Sequence, residues 1–291
     1  TYLAQLAGKP IWTPTYITIS DLFRRHSDLK VADPIKSICD LHKVFVACTG
    51  IDETLDHFYG WGQLLLADFD DVDKNMVDAK LLFANLSDIH ELDDVSYLTD
   101  YQKAMIKKFF SNFSDDHNTE LKKRFLQLWS HFYDIYVGFN QKLAEQQLAY
   151  EGALYRKVVN DEDIDFHYKK YLFIGFNMMQ IVEQTLCDRL QKQDKALFYW
   201  DYDKYYMEGQ NEAGHYIRQY LKHYPNELAS YPQKDIYDNM SKNKDITYIS
   251  APTENIQARY VNAWLKEHNR YKMGRNVAIV LSDENLLQSV I

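Results

Sequence analysis

KKYLFIGFNMMQIVEQTLCDRLQKQDKALFYWDYD, residues 169–203, decides the architecture. KKYLFIGF is an apolar run that reads as a strand. NMMQIVEQTLCDRLQKQ sets Met179, Val182, Leu186 and Leu190 at helical spacing, and KALFYWDYD reads as a second strand. Strand, helix and strand in so short a compass make a βαβ unit, and such units build parallel sheets. Ligands of these sheets sit outside the carboxyl ends of the strands. Many nucleotide-hydrolysing proteins place an acidic pair there to hold Mg²⁺. Here the first strand ends in Gly175-Phe176-Asn177. Asn carries no negative charge for Mg²⁺, and Gly and Phe offer no ligand side chain. The strand end reads as a scaffold position without nucleotide chemistry. A plain α/β sheet that never had any reads the same way.

The pattern repeats downstream. NEAGHYIRQYLKHYP is a helix stopped by Pro225, and 226–244 is polar and reads as a linker. DITYISAP, TENIQARYVNAWLKEH and RNVAIVLSDE then predict a second strand–helix–strand. Upstream, TPTYITIS (13–20) alternates β-branched and aromatic residues and predicts a strand, with Ser20 capping the next helix. PIKSICDLHKVFVACTG (34–50) predicts a helix with Ile35, Ile38, Leu41, Val44 and Phe45 inward, closed by Gly50. Between these blocks the sequence reads as helices only. LDHFYGWGQLLLADFDDVDK is amphipathic and then strongly acidic. TDYQKAMIKKFFSNF starts at a capping Thr99. TELKKRFLQLWSHFYDIYVGFNQKLAEQQLAYEGALYRKVV reads as one very long helix or two. The opening TYLAQLAGKP reads as the tail of a helix, and the chain stops shortly after a strand, so a longer parent is expected at both ends.

Composition sets further bounds. The chain has 291 residues, of which 46% are apolar and 26% charged, which suits a folded protein. Only 6 Pro and 10 Gly favour long helices over a turn-rich all-β fold. The formal net charge is −9. A chain that works by covering phosphates alone is usually basic, so any nucleic-acid contact needs a local groove or a more basic partner. Cys39, Cys48 and Cys187 have no metal-ligand spacing and cannot all pair, which fits a reducing, cytoplasmic compartment. No apolar run of about 18 residues predicts a membrane span.

Several stretches invite a chemical reading. LADFDDVDKN offers Asp68, Asp70, Asp71 and Asp73, but a calcium loop fits neither from Asp68 nor from Asp71, and the run reads as a solvated helix face. Asp201 and Asp203 leave an apolar strand two residues apart, resembling the D-x-D of the haloacid-dehalogenase group, where one carboxylate attacks phosphorus beside Mg²⁺. That pattern wants Thr or Val where this chain has Tyr205. A Mg²⁺-dependent phosphatase or phosphotransferase is therefore the alternative enzyme reading. The plain reading makes both Asp residues helix caps or solvent-facing groups. The ten His residues show no H-E-x-x-H spacing, and neither phosphate-cradling glycine motif occurs.

In order along the chain, DHFYGWGQLLLADFDDVD, LAYEGALYRKVV, YLFIGFNMMQIVEQTL, KALFYWDYDKYY with NEAGHYIRQYLKHYP, and ISAPTENIQARYVNAWL with VAIVLSDENLL resemble one family. This is the inactivated superfamily-one helicase region of AddB-like helicase–nuclease subunits, in the form found in the Bacteroides group. There, F-x-G-F-N/T stands in place of the acidic strand. The resemblance implies a RecA-like α/β fold: a parallel sheet domain with a large all-helical insertion, then the start of a second RecA-like domain. Residues 1–51 and 166–240 would form the first domain, 52–165 the insertion and 241–291 the start of the second. It also implies a parent with a C-terminal PD-(D/E)XK nuclease acting in DNA double-strand-break repair and recombination. This segment would hold no cofactor and perform no catalysis, but would guide single-stranded DNA and contact an active helicase–nuclease partner. By position, Asn177, Trp200, Asp201, Thr253 and Glu254 would face DNA or that partner. A plain protein-interaction scaffold built on the aromatic helices is the third reading.

Overall fold

Two parallel strand pairs and a set of amphipathic helices answer these expectations. The computed structural model describes residues 2–84, 128–209, 211–230 and 234–291. TDYQKAMIKKFFSNF and the start of the stretch that follows it lie outside them. The chain divides into two compact units, Thr1–Tyr237 and Asp238–Ile291.

The first unit is α/β. In chain order its elements are α1 (Tyr2–Ala7), α2 (Ile19–Arg25), β1 (Lys30–Val31), α3 (Pro34–Thr49), α4 (Leu55–Lys74) and α5 (Ala79–Ala84). Then come α6 (Phe132–Ala144), β2 (Leu148–Ala149), α7 (Glu151–Asn160), β3 (Tyr171–Ile174), α8 (Ile181–Lys192), β4 (Ala196–Tyr199), α9 (Lys204–Met207) and α10 (His215–Tyr220). β1 pairs with β2, and β3 pairs with β4, both in parallel. β3 and β4 run in register from Tyr171↔Ala196 to Ile174↔Tyr199, with α8 as the crossover. A parallel bridge between Phe198 and Asn226 adds a third position beside β4.

One side of the β3–β4 pair makes the core. Phe173, Phe198 and Trp200 pack against Val182, Leu186, Leu190, Tyr220 and Tyr224. On the other side Leu172 and Ile174 of β3 are open, at 54% and 64% exposure, while Leu197 and Tyr199 of β4 are half-buried. The period-two alternation of a strand therefore separates a covered from a more open face. A second core joins Ile38, Leu41 and Phe45 of α3, Phe58, Trp61, Leu65 and Phe69 of α4, and Phe132, Ile135 and Phe139 of α6. Those stripes follow the helical period of the sequence, although Ile35, on the first turn of α3, is exposed. α3 starts as its sequence asks: Asp33 accepts from the Lys36 amide at 3.0 Å, and Pro34 holds the first helical position. It ends at Gly50 with φ +68, a left-handed cap that suits glycine.

Four expectations change. Residues 13–18 form no strand; α2 starts at Ile19, and Thr18 rather than Ser20 caps it, in a reciprocal box with Asp21. β-propensity becomes a strand only beside an edge that can pair with it. Ile17 and Ile19 instead pack onto the core, and Thr15 meets the Tyr168 hydroxyl at 3.3 Å. Of the long stretch before residue 160, read as one helix or two, the described residues show α6 and α7 as separate helices, split by Gln147 at φ +56 and by β2. Asn226 and Tyr237, in the stretch read as a linker, are buried. In the second unit the helix is present as α11 (Glu254–Lys266), followed by the short α12 (Leu287–Val290). The two flanking runs expected as strands form none among the described residues. They too lie without a neighbouring strand to complete their hydrogen bonds.

Candidate functional site at the carboxyl edge of β3 and β4

Because Ile174 and Tyr199 are paired, the segments that follow them leave the sheet from the same edge. Gly175 turns the chain there with φ +79. A Cβ at this position would meet nothing within 4 Å, so the backbone conformation, rather than space, asks for glycine. Phe176 folds back against Phe173, with centroids 5.9 Å apart. Asn177 and Met178 are exposed. The Met179 amide then donates to the Tyr220 hydroxyl at 2.9 Å. Gln180 opens α8 in a capping box with Glu183, whose carboxylate accepts from the Gln180 amide at 2.8 Å. Burial pushes the Glu183 carboxyl up, against that hydrogen bond.

On the β4 side Trp200 was expected to face DNA or a partner, and it does not. It is 2% exposed, stacked on Phe198 and Tyr220, and its indole N–H donates to the Tyr224 carbonyl at 3.0 Å. Asn226 clamps the same residue. Its side-chain oxygen accepts from the Trp200 amide at 3.3 Å, and its side-chain nitrogen donates to the Tyr237 hydroxyl at 2.8 Å. Asp201 is exposed, and Tyr202 stacks on Tyr237 with centroids 4.4 Å apart. Asp203 caps α9 by accepting from the Tyr205 amide at 3.1 Å, the structural role that competes with the phosphatase reading.

Of the five positions singled out, Asn177 and Asp201 are the open side chains that follow the paired ends of β3 and β4. Thr253 and Glu254 belong to the second unit. Thr253 caps α11 by accepting from the Ile256 amide at 3.3 Å, and Glu254 sits exposed in the first turn, where its charge suits the helix dipole. An amide and a lone carboxylate can hydrogen-bond a polar ligand. Among the described residues no group of three or more His, Cys, Asp or Glu is placed to hold a metal ion.

The sequence reading missed a second constellation. The acidic run of α4 is not solvated throughout. Asp68 and Asp71 are exposed, but Asp73 is 1% exposed. It accepts from the Tyr136 hydroxyl at 2.6 Å, the Tyr150 hydroxyl at 2.5 Å and the Arg156 guanidinium at 3.1 Å. Arg156 also donates to the Val77 carbonyl at 2.7 Å, and Asn140 donates to the Tyr150 hydroxyl at 3.1 Å. Burial, reinforced by Asp73, pushes both tyrosine hydroxyls well above their ordinary range, so they stay protonated and donate. Asp70 accepts from the Gly152 amide at 2.6 Å and pairs with Lys74 at 2.7 Å. A Cβ on Gly152 would come within 2.4 Å of the Asp70 carbonyl oxygen, so only glycine allows this approach of α7 to α4. A signal was present: Asp73 lies four residues after Phe69 and eight after Leu65, on the inward stripe of α4.

No helix of the described residues is long and apolar enough to cross a membrane. Compared with known proteins, the chain matches no family model, no curated protein and no solved structure.

Proposed function

We propose that the chain is a non-catalytic, helicase-like segment of a DNA double-strand-break repair helicase–nuclease subunit, one that guides single-stranded DNA and contacts a partner helicase. One observation carries this reading. Two of the motif stretches that carry the family resemblance, WGQLLLADFDDVD and YEGALYR, are partners in the structure. Asp73 of the first meets Tyr150 and Arg156 of the second, and Asp70 meets Gly152. Motifs that resemble one family separately are here one interlocked set, which favours their belonging to one ancestral module over chance likeness. The parallel β3–β4 pair then offers Asn177 and Asp201 at the edge where α/β proteins take their ligands.

The test is a pair of assays on the full chain. Binding of a labelled oligo-dT, followed by anisotropy, should weaken as salt rises, because phosphate contacts release counterions. ATP turnover should stay at the buffer rate with and without DNA. Binding that ignores salt, or clear ATP turnover, overturns the proposal. Hydrolysis of a simple phosphate ester in Mg²⁺, lost in Asp201→Asn, would replace it with the phosphotransfer reading.

A further inference from the structure

The second unit carries a charge pattern opposite to that of the chain. The whole protein is at −9, yet residues 259–275 hold five cations, Arg259, Lys266, Arg270, Lys272 and Arg275, against one acid, Glu267, for a local +4. Three aromatic residues, Tyr260, Trp264 and Tyr271, lie among them.

The cations divide by role. Arg270 is structural. After α11 the chain bends through His268 and Asn269, both in the left-handed region at φ +53 and +54. This return lays the Arg270 guanidinium over the Trp264 ring at 4.6 Å, where it donates to the Trp264 carbonyl at 2.9 Å and pairs with Glu267 at 2.9 Å. The segment after the bend is thereby pinned to the last turns of α11. Lys272 sits over the Tyr271 ring at 5.6 Å. Arg259, Lys266 and Arg275 are exposed and pair with no carboxylate among the described residues. Lys266 alone is explained by the negative end of the helix dipole. Arg259 lies in the middle of the helix and Arg275 beyond the bend, where that explanation does not reach.

Buried Ala258 and half-buried Val261 and Leu265 form the inward stripe of α11, so Arg259 and Lys266, seven residues apart, share an outward flank of it. Tyr260 and Tyr271 are exposed and Trp264 is half-exposed under its cation. Unpaired cations and exposed aromatic rings interleaved in one segment are the chemistry of sites that track a phosphate backbone and stack its bases.

We propose that residues 259–275 bind single-stranded nucleic acid, with Arg259, Lys266 and Arg275 on the phosphates and Tyr271 as a stacking ring. This deepens the single-strand role proposed above and rests on it. The test measures oligo-dT affinity of the full chain against salt, for the wild type and for R259E/K266E/R275E. Three phosphate contacts on a single strand give a slope of log affinity against log salt of about −2. The triple variant, whose changes are all on exposed side chains, should lose most of that slope and bind at least roughly tenfold more weakly at low salt. The charge-keeping variant R259K/R275K should bind as the wild type does, and Tyr271→Ala should weaken binding with the slope unchanged. Circular dichroism checks that each variant is folded.

Wild-type oligo-dT binding that the triple variant leaves intact overturns this site while the proposed function stands. No oligo-dT binding by the wild type overturns both. Equal, patch-dependent binding to phosphatidylserine vesicles would make the patch a general anionic-surface site and overturn the nucleic-acid assignment.

Discussion

Asp73→Ala removes the acceptor on which three groups converge, and its cost follows from the geometry. The carboxylate takes the Tyr136 and Tyr150 hydroxyls at 2.6 and 2.5 Å and the Arg156 guanidinium at 3.1 Å. Each buried donor left without a partner costs about 1–3 kcal/mol. Breaking a buried ion pair by removing one member costs about 3–5 kcal/mol. These contributions overlap, since Asn140 still contacts Tyr150 and the Val77 carbonyl still takes Arg156. Arg156 is also a quarter exposed, so water recovers part of its loss. The expected total is about 4 kcal/mol, a large share of the roughly 5–15 kcal/mol that holds a domain folded. Asp73→Asn keeps the volume and one acceptor oxygen and should cost about half as much, roughly 2 kcal/mol. In a unit of this size the Ala change lowers Tm on the order of 10 °C. Urea melts of the full chain, read by near-ultraviolet circular dichroism, give the difference. Asp71→Asn, on the exposed flank of α4, is the control and should stay within about 0.5 kcal/mol. If Asp73→Ala and Asp71→Asn cost the same small amount, Asp73 is solvated and the interlocking of α4 with α7 is wrong.

Gly152→Ala forces a Cβ against the Asp70 carbonyl at 2.4 Å and should destabilise by about 1–3 kcal/mol, seen as a lower urea midpoint; an unchanged midpoint would mean α7 stands further from α4. Trp200→Ala should cost about 3–5 kcal/mol through the cavity it opens under Tyr220 and Tyr224. A weakened oligo-dT affinity in that variant without any loss of stability would put Trp200 back on the surface. Burial works against the charge of Glu151, but its hydrogen bond from Arg24 and its nearness to Lys74 hold the carboxyl below the usual range. The unfolded chain therefore takes up the proton first as pH falls. The stability Glu151 contributes is full above the ordinary carboxylate pKa and is lost as pH drops through the lower folded value. The stability gap between the wild type and Glu151→Gln should close as pH falls below the ordinary carboxylate range; a gap that widens on acidification refutes the assignment.

Local signals were legible where local physics decides. The stripes of α3 and α4 and the Pro34 start and Gly50 stop of α3 all follow from spacing and capping chemistry. So do β3 and β4, because their apolar runs flank a helix long enough to bring them parallel. The runs at 13–20, 245–252 and 275–284 have similar composition, yet a strand exists only with a neighbour, and composition does not supply one. Asp73 was misread for a related reason. A charge is solvated by default, and the partners that bury this one lie 63 to 83 residues away. Trp200 was placed at the correct edge but on the wrong side of it. Its burial is decided by Tyr220, Tyr224 and Asn226, which arrive from segments read as a helix and a linker.

Photocrosslinking tests the central claim most directly. A thymidine-rich oligonucleotide carrying 4-thiothymidine, irradiated with the full chain and mapped by peptide mass spectrometry, reports which residues touch the strand. The account predicts adducts on peptides that carry Asn177 or Asp201, or on those spanning 259–275, and their loss in high salt. Adducts confined to the aromatic helices α3, α4 and α6, or none at all under conditions where an unrelated single-strand binder crosslinks, would contradict a role in guiding single-stranded DNA.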